Sequence, residues 1–139
     1  MTLDEWIDLY NRKNPHDKFQ RDNRYALFFK EDKGFCEVLM TKRMAFIGQL
    51  GGDARYWKNT VDKAAGKAGI HHGGTINIRC DPPAYFRLFG YKVVKTELLK
   101  DGATRYQAIN KTTKKMGYAS PAFKYKDNGR QAFYITWDI

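Results

Sequence analysis

Cysteine is scarce in this chain: Cys36 and Cys80 are the only two in 139 residues. Two such residues make neither a disulfide framework nor a metal-ligand spacing. Each sits in an apolar, strand-like run, so reduced, buried thiols are expected. No neighbouring base marks either as a nucleophile. Long apolar runs are missing too; none nears the ~20 residues that span a bilayer, so no membrane partner is expected. The opening MTLDEWIDLYNRKN is acidic and amphipathic, without a basic-then-apolar leader, which predicts a cytoplasmic protein. His71 and His72 adjoin in a glycine loop with no third ligand, so no metal is expected. There is no internal repeat or low-complexity stretch.

What is present suits one folded domain over 1–139. Hydrophobic residues make up 42% of the chain and aromatics 15%, enough for a core. The net charge is +10, unevenly spread. Lys92–Ile139 holds ten Lys and Arg against four acids, +6 in all. Such a surplus draws anions: a phosphorylated cofactor, nucleic acid or an acidic partner.

Thr2-Leu3-Asp4-Glu5 has the form of a capping box and predicts a helix over 3–12, ended by Asn14-Pro15. Residues 13–23 read as a connector. Tyr25–Phe29, a turn at 31–34 and Phe35–Met40 read as a hairpin, continued by a strand at Met44–Gln49. Leu50-Gly51-Gly52-Asp53 reads as a turn into a helix over 54–68. Ala54, Trp57, Val61, Ala64, Ala65 and Ala68 form its apolar stripe, and Gly69 its C′ residue. A strand feeding a helix through glycines leaves backbone N–H groups unpaired at the helix's positive end, a site for a phosphate. The simpler reading is a tight turn.

Further on, residues 71–74 read as a loop and Thr75–Cys80 as a strand. Asp81-Pro82-Pro83 starts a short helix that stops at Gly90. Tyr91–Leu98 and Thr104–Ile109 read as antiparallel strands, Lys111–Lys115 as a basic loop and Gln131–Ile139 as a last strand. Trp6, Tyr10, Trp57, Phe86, Phe89, Phe123, Phe133, Tyr134 and Trp137 are expected mainly in the core. A helix joins Met44–Gln49 to Thr75–Cys80, so that pair is expected to be parallel. The fold class is therefore α/β (α+β): a mixed, mostly antiparallel sheet with a parallel pair at its centre, flanked by helices.

Two motifs carry a resemblance. Gln49-Leu50-Gly51-Gly52-Asp53-Ala54 fits Gln/Arg-x-x-Gly-x-Gly/Ala at a strand-to-helix turn. Pro83-Ala84-Tyr85-Phe86-Arg87-Leu88-Phe89-Gly90-Tyr91-Lys92-Val93 fits a short helix running into Gly-Phe or Gly-Tyr and a strand. In order and spacing the chain resembles the GNAT N-acetyltransferase superfamily, in the style of its small phage and prophage members, over residues 24–109; residues 110–139 look like a C-terminal strand extension. The resemblance implies acetyl transfer from acetyl-coenzyme A to an amine of unidentified identity: a small molecule, a peptide or a tRNA-linked amine. It implies a cofactor site at Phe46, Ile47, Gln49, Leu50, Gly51, Gly52, Asp53, Ala54 and Phe86, in a monomer or homodimer. Phe86 stands where the family carries its thiolate-protonating tyrosine, and Tyr85, about 100° round the helix, is the nearest hydroxyl. Glu37 is the candidate base; the alternative is that it pairs with a neighbour or faces solvent. Asp53 either points at the diphosphate or caps the helix. The other function is a GNAT-like domain without catalysis, binding nucleic acid or a protein through its basic C-terminal third, with Lys111, Lys114 and Lys115 beside Tyr118, Phe123 and Tyr125.

Overall fold

The computed structural model describes residues 1–139, with eight strands and three helices. The class read from the sequence, mixed α/β with mostly antiparallel strands and flanking helices, is the one observed. No helix is long and apolar enough to cross a membrane. The chain forms two compact units, Met1–His71 and His72–Ile139.

The first unit comprises α1 (Leu3–Lys13), β1 (Ala26–Lys30), β2 (Gly34–Met40), β3 (Ala45–Gly52) and α2 (Ala54–Lys67). The capping box at α1 forms: Glu5 N–H donates to Thr2 Oγ1 and Thr2 N–H to Glu5 Oε1. From α1, Tyr10 reaches the buried Phe35 edge-on, at 5.6 Å between ring centres. β1, β2 and β3 form the antiparallel meander expected. β3, however, runs through the glycines expected to be a turn. Gly51 pairs with Phe35 and Gly52 with Gly34. The reason is packing: a side chain at Gly51 would enter the Phe35 ring, and one at Gly34 would overlap the Gly51 carbonyl. Cys36 pairs with Leu50 and Val38 with Ile47, so Gly48 and Gln49 together oppose Glu37 in a β-bulge. α2 begins at Ala54 as expected and ends at Lys67, with Gly69 in the left-handed region at φ +76°.

The second unit comprises β4 (His72–Asn77), α3 (Pro82–Leu88), β5 (Tyr91–Leu98), β6 (Thr104–Asn110), β7 (Met116–Lys124) and β8 (Gln131–Asp138). Its strands lie in the order β4-β8-β7-β6-β5, all antiparallel. The loop expected at 71–74 is instead largely strand: His72, Gly73 and Gly74 pair with Asp138, Trp137 and Thr136. Gly73 has to be glycine because the Trp137 indole occupies the space of a β-carbon there. The strand expected to reach Cys80 stops at Asn77, and Cys80 takes φ +58°. β7, not read as a strand from the sequence, holds Pro121 beside a register shift between Pro121 and Phe123. β8 lies between β4 and β7 and supplies the buried Phe133, Ile135 and Trp137. α3 covers the face they occupy: Phe86 is buried over Gly117 and Tyr91, and Tyr85 lies 6.4 Å from Trp137 between ring centres. Phe123, expected in the core, is exposed.

Candidate functional site

The glycine motif is built where β3 hands over to α2. Asp53 is the N-cap: its Oδ1 accepts from Tyr56 N–H at 3.0 Å, as a capping carboxylate should. Its own N–H donates to the Lys33 carbonyl at 2.9 Å, and the Trp57 indole N–H donates to the same oxygen at 2.8 Å. These two bonds fasten the start of α2 to the β1–β2 turn. Lys33 Nζ approaches Asp53 Oδ2 at 3.4 Å. The Tyr56 backbone N–H, and after it Lys33, hold the Asp53 carboxyl below its ordinary pKa, so it stays ionised through the neutral range. Of the two readings of Asp53, the helix cap is the geometry present. The Ala54 N–H, at the first helical position, has no acceptor within the helix. Lys30 and Lys33 both reach over the Tyr56 ring, at 5.1 and 5.5 Å from its centre. The head of α2 therefore joins a positive helix end to two cationic side chains.

Upstream, Gln49 is engaged by the connector: its side chain accepts from Gln20 N–H at 2.9 Å and donates to the Lys18 carbonyl at 2.9 Å. Leu50 continues the strand, Ile47 is buried, and Phe46 meets Tyr25 edge-on. Glu37 is buried at 2% exposure and faces the bulge. Its Oε2 accepts from Arg21 Nη1 at 2.9 Å and from Asp22 N–H at 3.4 Å. The reading in which Glu37 pairs with a neighbour is thus the one observed. Both bonds fall on the same carboxylate oxygen, so the connector already occupies it. Cys36, one residue earlier, is buried, and burial pushes its thiol up to about 12, far from nucleophilic use.

In the second unit, Tyr85 and Phe86 fall on one short helix with different surroundings. Phe86 fills the core between α3 and the sheet, whereas Tyr85 is half-buried and packs on Phe89 at 4.7 Å between ring centres. Lys111, Lys114 and Lys115 are exposed in the β6–β7 turn. That turn is shaped by Asn110, whose side chain accepts from Thr112 and Thr113 N–H. His72 lies 3.3 Å from Asp138, and no group of acids, cysteines and histidines is gathered closely enough to hold a metal.

Sequence reasoning missed Arg21 as the partner of Glu37, and Lys30 and Lys33 beside α2. Lys33 and Asp53 lie twenty positions apart, and only the hairpin register joins them. No local pattern signals that. A scan against protein-family models and searches of curated proteins and of solved structures return no match for the chain.

Proposed function

We propose that the chain is an acetyl-coenzyme A-dependent N-acetyltransferase of the GNAT type, with the head of α2 binding the cofactor's diphosphate. The observation that carries this reading is a bulged strand running without a break into a capped helix, with Lys30 and Lys33 beside the helix's positive end. Asp53 is compatible with an anion there, since its carboxylate is turned onto Tyr56 N–H and offset by Lys33. The glycines are explained by packing on β2, and that packing is also what makes the turn rigid enough to present an amide in a fixed direction.

The residues fit the diphosphate better than they fit the proton transfers. Ala54 N–H, Lys30 and Lys33 would hold the phosphates. The bound cofactor supplies a thioester, an acyl group already activated toward an amine. Glu37 is committed to Arg21, so the proton of the acceptor ammonium leaves by water rather than through this carboxylate. Tyr85 is the hydroxyl that α3 offers at the motif; Phe86, in the core, donates nothing.

Calorimetry with acetyl-coenzyme A tests the reading. Micromolar affinity is expected, falling tenfold or more in Ala54→Pro. Proline at the first helical position keeps the helix while deleting the amide. Absence of binding by the unmodified chain at high micromolar cofactor overturns the reading.

A further inference from the structure

The second unit's sheet has two unlike faces. Trp137, Ile135, Gly117, Ala119 and Ala108 point toward α3 and are buried. On the opposite face, the register sets Lys95, Gln107, Tyr118 and Thr136 side by side across β5, β6, β7 and β8. Arg105 and Glu97 form the next pair along β6 and β5, and Lys92 and Ile109 the pair on the other side. Tyr118 is 41% exposed and Phe123, also on this face through its pairing with Ala132, is 46% exposed. Between them along the sheet, Tyr134 stands beside Ser120. Three rings therefore follow one another at about two-residue intervals, roughly 7 Å apart by strand rise. The cations at their flank are lightly countered. Glu97 reaches Arg105 only at 3.8 Å, and Asp138, which ends the row of Lys92, Ile109 and Met116, is engaged by His72 at 3.3 Å. The lysines of the 111–115 turn extend the positive flank past Ile109 and Met116.

We propose that this face, Tyr118, Tyr134 and Phe123 flanked by Lys92, Lys95 and Arg105, binds single-stranded nucleic acid. An exposed tyrosine or phenylalanine can stack only on a base that is not already stacked in a duplex, while the neighbouring cations take the phosphates. A purely electrostatic surface would have no use for apolar rings in the open, which cost solvation in the free protein. The inference is independent of the acetyl-transfer reading, which concerns the head of α2.

Fluorescence anisotropy with a labelled 12-mer of oligodeoxythymidylate, set against a 12-base-pair duplex, tests it. The single strand is expected to bind at least tenfold more tightly. Tyr118→Ala combined with Phe123→Ala is expected to weaken binding tenfold or more while keeping a cooperative thermal melt, lowered only by the loss of the Phe123–Tyr125 edge contact, and Tyr118→Phe stays within about twofold. Lys95→Ala with Arg105→Ala is expected to flatten the plot of log affinity against log salt by about 1.4, two phosphate contacts' worth. Equal or tighter binding of the duplex, equal binding of polyglutamate or anionic vesicles, or wild-type affinity in the ring double variant overturns the proposal.

Discussion

The two halves of the chain use their polar residues in opposite ways. Met1–His71 carries thirteen cations against ten acids, and several of its polar groups are tied to one another: the buried Glu37 to Arg21, the half-buried Gln49 to the connector, and the exposed Asp53 to Tyr56 and Lys33. His72–Ile139 carries twelve cations against five acids and leaves most of them on the surface. The contrast teaches that a charged residue in an apolar strand is first a fastening. Glu37 is a candidate base in isolation and a clasp in context. The charges most available to a ligand are those without a carboxylate partner in the fold: Lys30 over the Tyr56 ring at α2, and the open face of the second sheet.

The sharpest way to break the contrast is through backbone contact. Gly34→Ala would overlap the Gly51 carbonyl and adopt φ +94°, so a loss above about 3 kcal/mol is expected, seen as loss of the cooperative urea transition. Its counterpart in the second unit, Gly129→Ala at φ +69° with nothing within 4 Å, is expected to cost only about 1 kcal/mol. A near-equal pair of values would contradict the tight β2–β3 packing.

Next in size come the ion pairs. Arg21→Ala leaves Glu37 buried with one weak donor, and a loss of about 2–3 kcal/mol is expected, a buried-pair value reduced because the Arg21 side chain is 40% exposed. Glu97→Ala, by contrast, breaks an exposed contact at 3.8 Å and is expected to change stability by no more than about 0.5 kcal/mol. Similar values from the two denaturation series would remove the distinction between fastening and free charges.

The helix cap falls between these two ion pairs. Asp53→Ala is expected to cost about 1 kcal/mol near neutral pH. Because the folded carboxyl lies below its value of 3.8 in the unfolded chain, the unfolded state binds the proton more readily. The cap's contribution is thus complete above that value and lost as pH falls through the folded pKa. Chemical denaturation of wild type and variant should converge once pH falls below the folded pKa; a constant gap between them would assign the cap's effect to something other than charge.

Much of the local structure was legible because it rests on neighbours in sequence. The Thr2–Glu5 box, the Asp81-Pro82 start and the strand at Tyr91–Leu98 stand where periodicity and capping chemistry put them; of the α2 stripe, Trp57, Val61 and Ala65 are buried, whereas Ala64 and Ala68 are exposed and Lys58 is buried beside Asp62. The errors share one cause. Gly51, Gly52, Gly73 and Gly74 read as turns because glycine is the commonest punctuation, yet three of them carry strands past large rings or close backbone: Phe35 at Gly51, Lys33–Gly34 at Gly52 and Trp137 at Gly73. β7 was missed because Gly117 and Pro121 dilute its strand character, and its partners lie on either side in space.

By itself, then, the sequence determined the three helices and most of the strands, the mixed α/β class and the direction of the charge imbalance, since each follows from spacing, capping and composition within a few residues. Only the tertiary structure decided which charges are spent and which remain. That Arg21 closes on Glu37, that Lys33 reaches Asp53, and that Tyr118 and Phe123 share an open face with Lys95 and Arg105 depends on strand register. Register joins residues far apart in the chain, and sequence spacing alone does not specify it.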